Sequence, residues 1–100
     1  MKINAPQLEV NGYKLAPPTI KEVSGTYTVV DSDHLVTLVA GETCDGVTFG
    51  TVALGVRVVL FNASGGELVV AGNFNADVAS LANFANFEAI HIGEGNWIVL

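Results

Sequence analysis

Positive charge is the scarcest feature of this chain. Four Lys and Arg stand against ten Asp and Glu in 100 residues, a net charge of −6. Binding to nucleic acid or to an anionic membrane surface needs clustered cations, so neither is expected. Cysteine is nearly absent. Cys44 alone excludes an intramolecular disulfide framework and reads as a small buried hydrophobe. No stretch approaches the roughly 18 apolar residues of a membrane span. The opening Met1-Lys2-Ile3-Asn4 lacks the apolar run of a signal peptide, so the chain is expected to be made in a cytoplasm and kept there or packaged from it.

Proline is confined rather than absent. Pro6, Pro17 and Pro18 are all the prolines, and all lie within residues 1–22. That segment has a net charge of +1, whereas residues 23–100 have Arg57 as their sole cation and a net charge of −7. Consecutive prolines favour an extended backbone and resist helix. The division is therefore an N-terminal arm, 1–22, and a folded body, 23–100. An ordinary first hairpin around Asn11-Gly12, a strong turn dipeptide, is an alternative that can coexist with the arm.

What is present in quantity is Val, Leu, Ala and Gly. Half the residues are hydrophobic and 14% are charged, against about 25% charged in an average domain. A compact monomer of this mass exposes on the order of 5,400 Å², and few charges are available to cover it. Burial of part of that surface against other copies is the favoured resolution. Short β-branched and aromatic runs recur with Gly-rich turns between them. Strands are expected at residues 26–30, 35–39, 47–49, 51–52, 56–61, 67–71, 86–92 and 97–100. Asp31-Ser32-Asp33-His34, residues 40–46, Asn62-Ala63-Ser64-Gly65-Gly66 and Gly93-Glu94-Gly95-Asn96 read as turns or loops. The runs at 56–61 and 67–71 form the clearest hairpin. Residues 75–85, with Asn75 as an N-cap, are either one short helix or an irregular apolar loop. The fold class is all-β: a small antiparallel sandwich, barrel or prism with an extended N-terminal arm, expected as a trimer. The last strand is so apolar that it needs cover on both faces or from a neighbouring subunit.

Catalysis needs a nucleophile or base held by a partner. The candidates are Cys44, His34 and His91, and no Gly-x-Ser-x-Gly, His-Glu-x-x-His or Cys-x-x-Cys is present. The Asp31–His34 segment fails as an EF-hand because Val36 occupies the glycine position; it reads instead as a solvated turn. Gly93-x-Gly95 lacks the third glycine of a dinucleotide fingerprint, with Ile98 in its place. Asn62-Ala63-Ser64 matches the glycosylation pattern but reads as a turn. Phe49, Phe61, Phe74, Phe84, Phe87 and Trp97 are read as core or subunit interface, with a carbohydrate platform at Trp97 and Tyr27 as the minor reading. No enzyme activity, cofactor or metal is expected.

Three segments resemble a β-module of phage virion proteins, the head-fibre, tail-fibre and capsid decoration (cement) type. They are Val56-Arg57-Val58-Val59-Leu60-Phe61-Asn62-Ala63-Ser64-Gly65-Gly66-Glu67-Leu68-Val69-Val70, Ala79-Ser80-Leu81-Ala82-Asn83-Phe84-Ala85-Asn86-Phe87, and the closing Gly93-Glu94-Gly95-Asn96-Trp97-Ile98-Val99-Leu100. The likeness covers roughly residues 35–100. It implies a virion location, a β-rich homotrimer and no catalytic residues. Fibre proteins usually carry long repeats or a further attachment domain, and this chain has neither, so the decoration protein is the expected function and a receptor- or glycan-binding fibre module the alternative. On that reading the partners are further copies of the chain and the major capsid protein. The arm residues Lys2, Ile3, Leu8, Val10, Lys14, Leu15 and Lys21 would meet the capsid, and Val58, Leu60, Phe87, Trp97 and Val99 would form the oligomer interface or the core.

Overall fold

The computed structural model describes residues 19–100, together with the backbone of two short strands, β1 (Glu9–Val10) and β2 (Tyr13–Lys14). β1 and β2 pair antiparallel, Val10 opposite Tyr13, the pairing expected of a hairpin across positions 11 and 12. The body is built from β3 (Thr19–Thr28), β4 (Val36–Phe49), β5 (Arg57–Asn62), β6 (Leu68–Phe74), β7 (Ser80–Leu81), β8 (Asn86–Gly93) and β9 (Asn96–Val99). The all-β class holds. The seven strands form one sheet in the order β3-β4-β5-β8-β9-β6-β7, with a further pairing of β4 to β6.

That further pairing closes a circuit β4-β5-β8-β9-β6-β4 around the core. β4 makes it possible because it is 14 residues long and serves two partners in turn. Val36 to Ala40 pair with Val58 to Asn62 of β5, and Gly46 to Phe49 pair with Val69 to Gly72 of β6. Between them β4 bulges: Val23 of β3 faces Ala40, Gly25 faces Cys44 and Thr26 faces Gly46. The extra residues of a bulge bend and twist a strand. Residues 40–46, expected as a loop, are this bulged middle of one strand.

The sheet is mixed rather than antiparallel. β3 runs parallel to β4, β4 to both β5 and β6, and β6 to β9; β5–β8, β8–β9 and β6–β7 are antiparallel. The expected hairpin of residues 56–71 is therefore not formed. β5 and β6 do not pair with each other; they lie one after the other along β4 in the same direction. Asn62 sets the step between them. Its buried side chain accepts from Ser64 N–H (2.9 Å) and Ser64 Oγ (2.6 Å), and its Nδ2 donates to the carbonyls of Gly66 (2.7 Å) and Leu81 (2.8 Å). These bonds fold the turn onto β7 and away from a return along β5.

Residues 75–85 hold no helix. Their polar groups are taken by strands: Val70 N–H donates to Ala79 O, Asn75 N–H to Trp97 O, and Asn75 Oδ1 accepts from Val99 N–H. Cross-strand bonds have replaced the i to i−4 bonds of a helix. The hairpin expected at Gly93-Glu94-Gly95-Asn96 does form, and all of Gly93, Glu94 and Gly95 have positive φ.

The core fills the circuit. Leu38, Ala40, Val58, Leu60 and Ala89 are fully buried. Phe49 is its aromatic hub, with ring centroids of Trp97, Phe74 and Phe87 at 5.0, 5.4 and 5.4 Å. The Trp97 and Phe74 pairs are edge-to-face and the Phe87 pair is tilted; aromatic pairs of this kind add about 0.5–1.5 kcal/mol each beyond area burial.

Candidate functional site

Three buried polar groups organise the body, and each is consumed internally. The first is Asp33, in the 3₁₀ turn Asp31–Asp33. Its carboxylate accepts from Tyr27 Oη at 2.6 Å, from Val30 N–H at 3.0 Å and from Lys21 Nζ at 3.1 Å; Lys21 also donates to Tyr27 Oη at 2.6 Å. Burial pushes the Asp33 carboxyl up, but the bonds from Tyr27, Val30 and Lys21 outweigh it and hold the group below its ordinary value. Tyr27 is pushed up, by burial first and by its bond to Asp33 second. Lys21 is raised by its bonds to Tyr27 and Asp33.

The turn expected to be solvated therefore carries a buried carboxylate. Its neighbours Asp31, Ser32 and His34 are exposed, and two of them bond to backbone. Asp31 Oδ1 accepts from Ala53 N–H (2.8 Å), and His34 Nδ1 accepts from Arg57 N–H (3.1 Å). No group of three His, Cys, Asp or Glu is placed to hold a metal ion among the described residues.

The second group is His91. Gly95 donates its N–H to Nε2 at 3.0 Å, and Nδ1 lies 3.2 Å from Ala53 O. An acceptor at Nε2 leaves the proton on Nδ1, so the buried ring is a neutral clamp between the β8–β9 turn and the loop before β5. Asn62 is the third group. Both its Nδ2 protons are donated and its side chain is enclosed, so the glycosylation pattern offers no free amide in the folded body.

Cys44 is buried and donates to Gly46 O at 3.6 Å. Burial raises its thiol, and Asp45 adds to the shift. Both histidines bond elsewhere, so no Cys–His pair is assembled among the described residues. Trp97 is buried with Nε1 donating to Gly50 O at 2.8 Å, and the Tyr27 hydroxyl is held by Asp33 and Lys21. A carbohydrate platform, the minor reading of these two rings, would have no free polar edge there.

The arm residues divide. Lys2, Ile3, Leu8 and Leu15 lie outside the described residues, and of Val10 and Lys14 only the backbone pairing is described. Lys21 belongs to the body: β3 begins at Thr19, inside the segment drawn as the arm, and carries Lys21 to Asp33. Of the interface-or-core set, Val58, Leu60 and Trp97 are core, Phe87 packs against the core, and Val99 on β9 sits opposite Ala89 of β8.

The residues that alternate with these form the surface that sequence reasoning missed. Paired residues on adjacent strands share a face. Ile20, Thr37, Val59 and Glu88 lie in one cross-strand row. Glu22, Val39, Phe61 and Asn86 form the next row, and Arg57, Ile90 and Ile98 a third. None of the apolar members of these rows belongs to the core cluster; Ile20 is exposed, and Val39, Val59, Phe61, Ile90 and Ile98 are half-buried. Arg57 Nε donates to Glu88 Oε2 at 2.5 Å across the face, holding Glu88 below its ordinary value and raising Arg57.

The body is thus a closed mixed-sheet β-module with an apolar outward face and its buried polar groups satisfied. Comparison with family models, with characterised proteins and with solved structures finds no match to this chain.

Proposed function

We propose that this protein is a structural module that self-associates, and more specifically a phage capsid decoration (cement) protein that forms a homotrimer on the capsid surface. The observation that carries the reading is the outward face of β3, β4, β5, β8 and β9. Single exposed apolar residues are ordinary, but a contiguous apolar patch marks an interaction site. The internally bonded histidines, thiol and carboxylate of the body fit a scaffold whose polar groups serve the fold. Resemblance to virion β-modules in three segments supplies the capsid setting.

In this reading the body associates and the chain before β3 anchors. The anchoring segment shortens to residues 1–18, because Thr19–Glu22 are part of the sheet. Lys2 and Lys14 remain as its cations, and Ile3, Leu8, Val10 and Leu15 as its apolar contacts to the major capsid protein. Several attached copies raise effective concentration, so weak single contacts sum to firm attachment. The test is deletion of residues 1–18 followed by particle imaging. Loss of decoration with retained self-association supports the reading, and undiminished occupancy rejects the anchor.

A further inference from the structure

We propose that the outward face of β3, β4, β5, β8 and β9 is occupied by a second copy of this chain rather than by the capsid or by a charged partner. The proposal rests on the self-association reading above and assigns it a surface.

The charge distribution selects the occupant. Residues 19–100 have a net charge of −7 and two cations, Lys21 and Arg57. Lys21 is paired with Asp33, and Arg57 lies on this face and is neutralised there by Glu88. Glu22, at the border of the face on β3, is exposed and is the one further charge in the three rows. Two acidic bodies repel wherever carboxylates meet, and this largely neutral face is where such bodies can approach. A basic partner would be drawn to the acids elsewhere on the body. An apolar, nearly neutral surface is complementary to another of its kind, and this chain supplies one.

The three rows alone are small: four intervals of about 4.8 Å across five strands and two of about 6.7 Å between rows give roughly 19 by 13 Å in plan. A stable interface takes roughly 800 Å² of accessible surface from each partner, so the margins of the face must contribute. Two margins are suited to it. Leu100, whose N–H donates to Glu88 O, extends the Val59 row and is 59% exposed. On the opposite side Ile20 is 67% exposed, and the outer edge of the ten-residue strand β3 is unpaired among the described residues. An open strand edge invites pairing with another chain.

The experiment compares the full chain with Val59→Lys and Ile98→Lys together, by sedimentation and native mass measurement. Both substitutions point away from the core, and both reduce the net negative charge, so weaker association could not come from greater overall repulsion between the bodies and would report charge placed in the contact itself. The expected result is an assembled wild type and at least a ten-fold weaker association of the variant with unchanged circular dichroism. If the wild type assembles and the folded variant assembles equally, this face is not the contact and the self-association reading survives. A monomeric wild type overturns both. Should the variant lose its fold, Val59→Cys decides: its thiol must be protected from a maleimide in the assembly and react on dilution, while buried Cys44 stays unreactive as the fold control. Equal reactivity at both concentrations overturns the assignment.

Discussion

Gly95 donates its backbone N–H to the Nε2 of His91, four residues earlier, at 3.0 Å. The turn between β8 and β9 is thereby fixed to a ring that also meets Ala53 O. This geometry requires the Nδ1–H tautomer, and nitrogen NMR of the folded protein should find it. His91→Ala removes a buried ring and leaves the Gly95 N–H without a partner, while Ala53 O still accepts from Val56 N–H. Cavity and desolvation costs together are about 3–5 kcal/mol, to be read from urea denaturation.

The Asp33 cluster predicts the pH dependence of stability at both ends. The Asp33 carboxyl is held below its ordinary value, so its contribution is complete above the ordinary carboxylate range and is lost as pH falls through the lowered value. Tyr27 and Lys21 are raised, so their contributions are complete below their ordinary values near 10 and are lost as pH rises through the raised ones. Asp33→Asn should flatten the acid limb of a stability–pH profile. It should cost about 1–3 kcal/mol at neutral pH, because Lys21 is solvent-accessible and can be rehydrated.

Gly72 tests the packing of the aromatic hub. A Cβ there would meet the Phe74 ring at 2.8 Å and Phe49 Cβ at 3.0 Å. Both rings belong to the cluster around Trp97, so neither can yield without disturbing a second contact. Gly72→Ala should destabilise by about 1–3 kcal/mol, the range for overpacking. A thermal melt at or above the wild-type midpoint would contradict this.

Asn62→Asp exchanges two donated protons for lone pairs aimed at the carbonyls of Gly66 and Leu81. Leaving buried acceptors facing one another costs about 3 kcal/mol or more. The effect should exceed that of Asn62→Ala, which removes the donors without adding repulsion. Chemical denaturation of the two variants side by side is the check.

Most strands and the turns at 62–66 and 93–96 are legible in the sequence because β-branched runs and Gly clusters act locally, but residues 40–46, expected as a loop, are strand, and residues 51–52, expected as strand, are not. Pairing is not legible. Residues 56–71 have every local mark of a hairpin, and the outcome turned on Asn62, whose partner Leu81 is 19 residues away. The helix spacing at 75–85 likewise lost to strand bonds made by Trp97 and Val99. Inside and outside were also indistinct. Val58 and Leu60 differ little in character from Val59 and Phe61, and alternation alone does not say which pair turns inward. Lys21 directly follows the proline-rich segment and Asp33 sits in a turn of solvent-loving composition, so nothing local in either stretch marks them as partners. The outward face is visible in retrospect as apolar residues on both parities of β5 and β9, a pattern a one-sided strand does not need.

The end-to-end placement of β5 and β6 along β4 bears on how the chain acquires its shape. Parallel neighbours must be brought together across long stretches of polypeptide, and this raises the loop-closure cost before any contact is gained. Among the described residues, antiparallel pairs of consecutive strands are confined to β1–β2, the short β6–β7 contact and the β8–β9 ribbon. Refolding should therefore be slow for a domain this small, in the millisecond-to-second range of non-local β topologies. The pairing of Phe74 with Trp97 joins β6 to β9 and completes the ring.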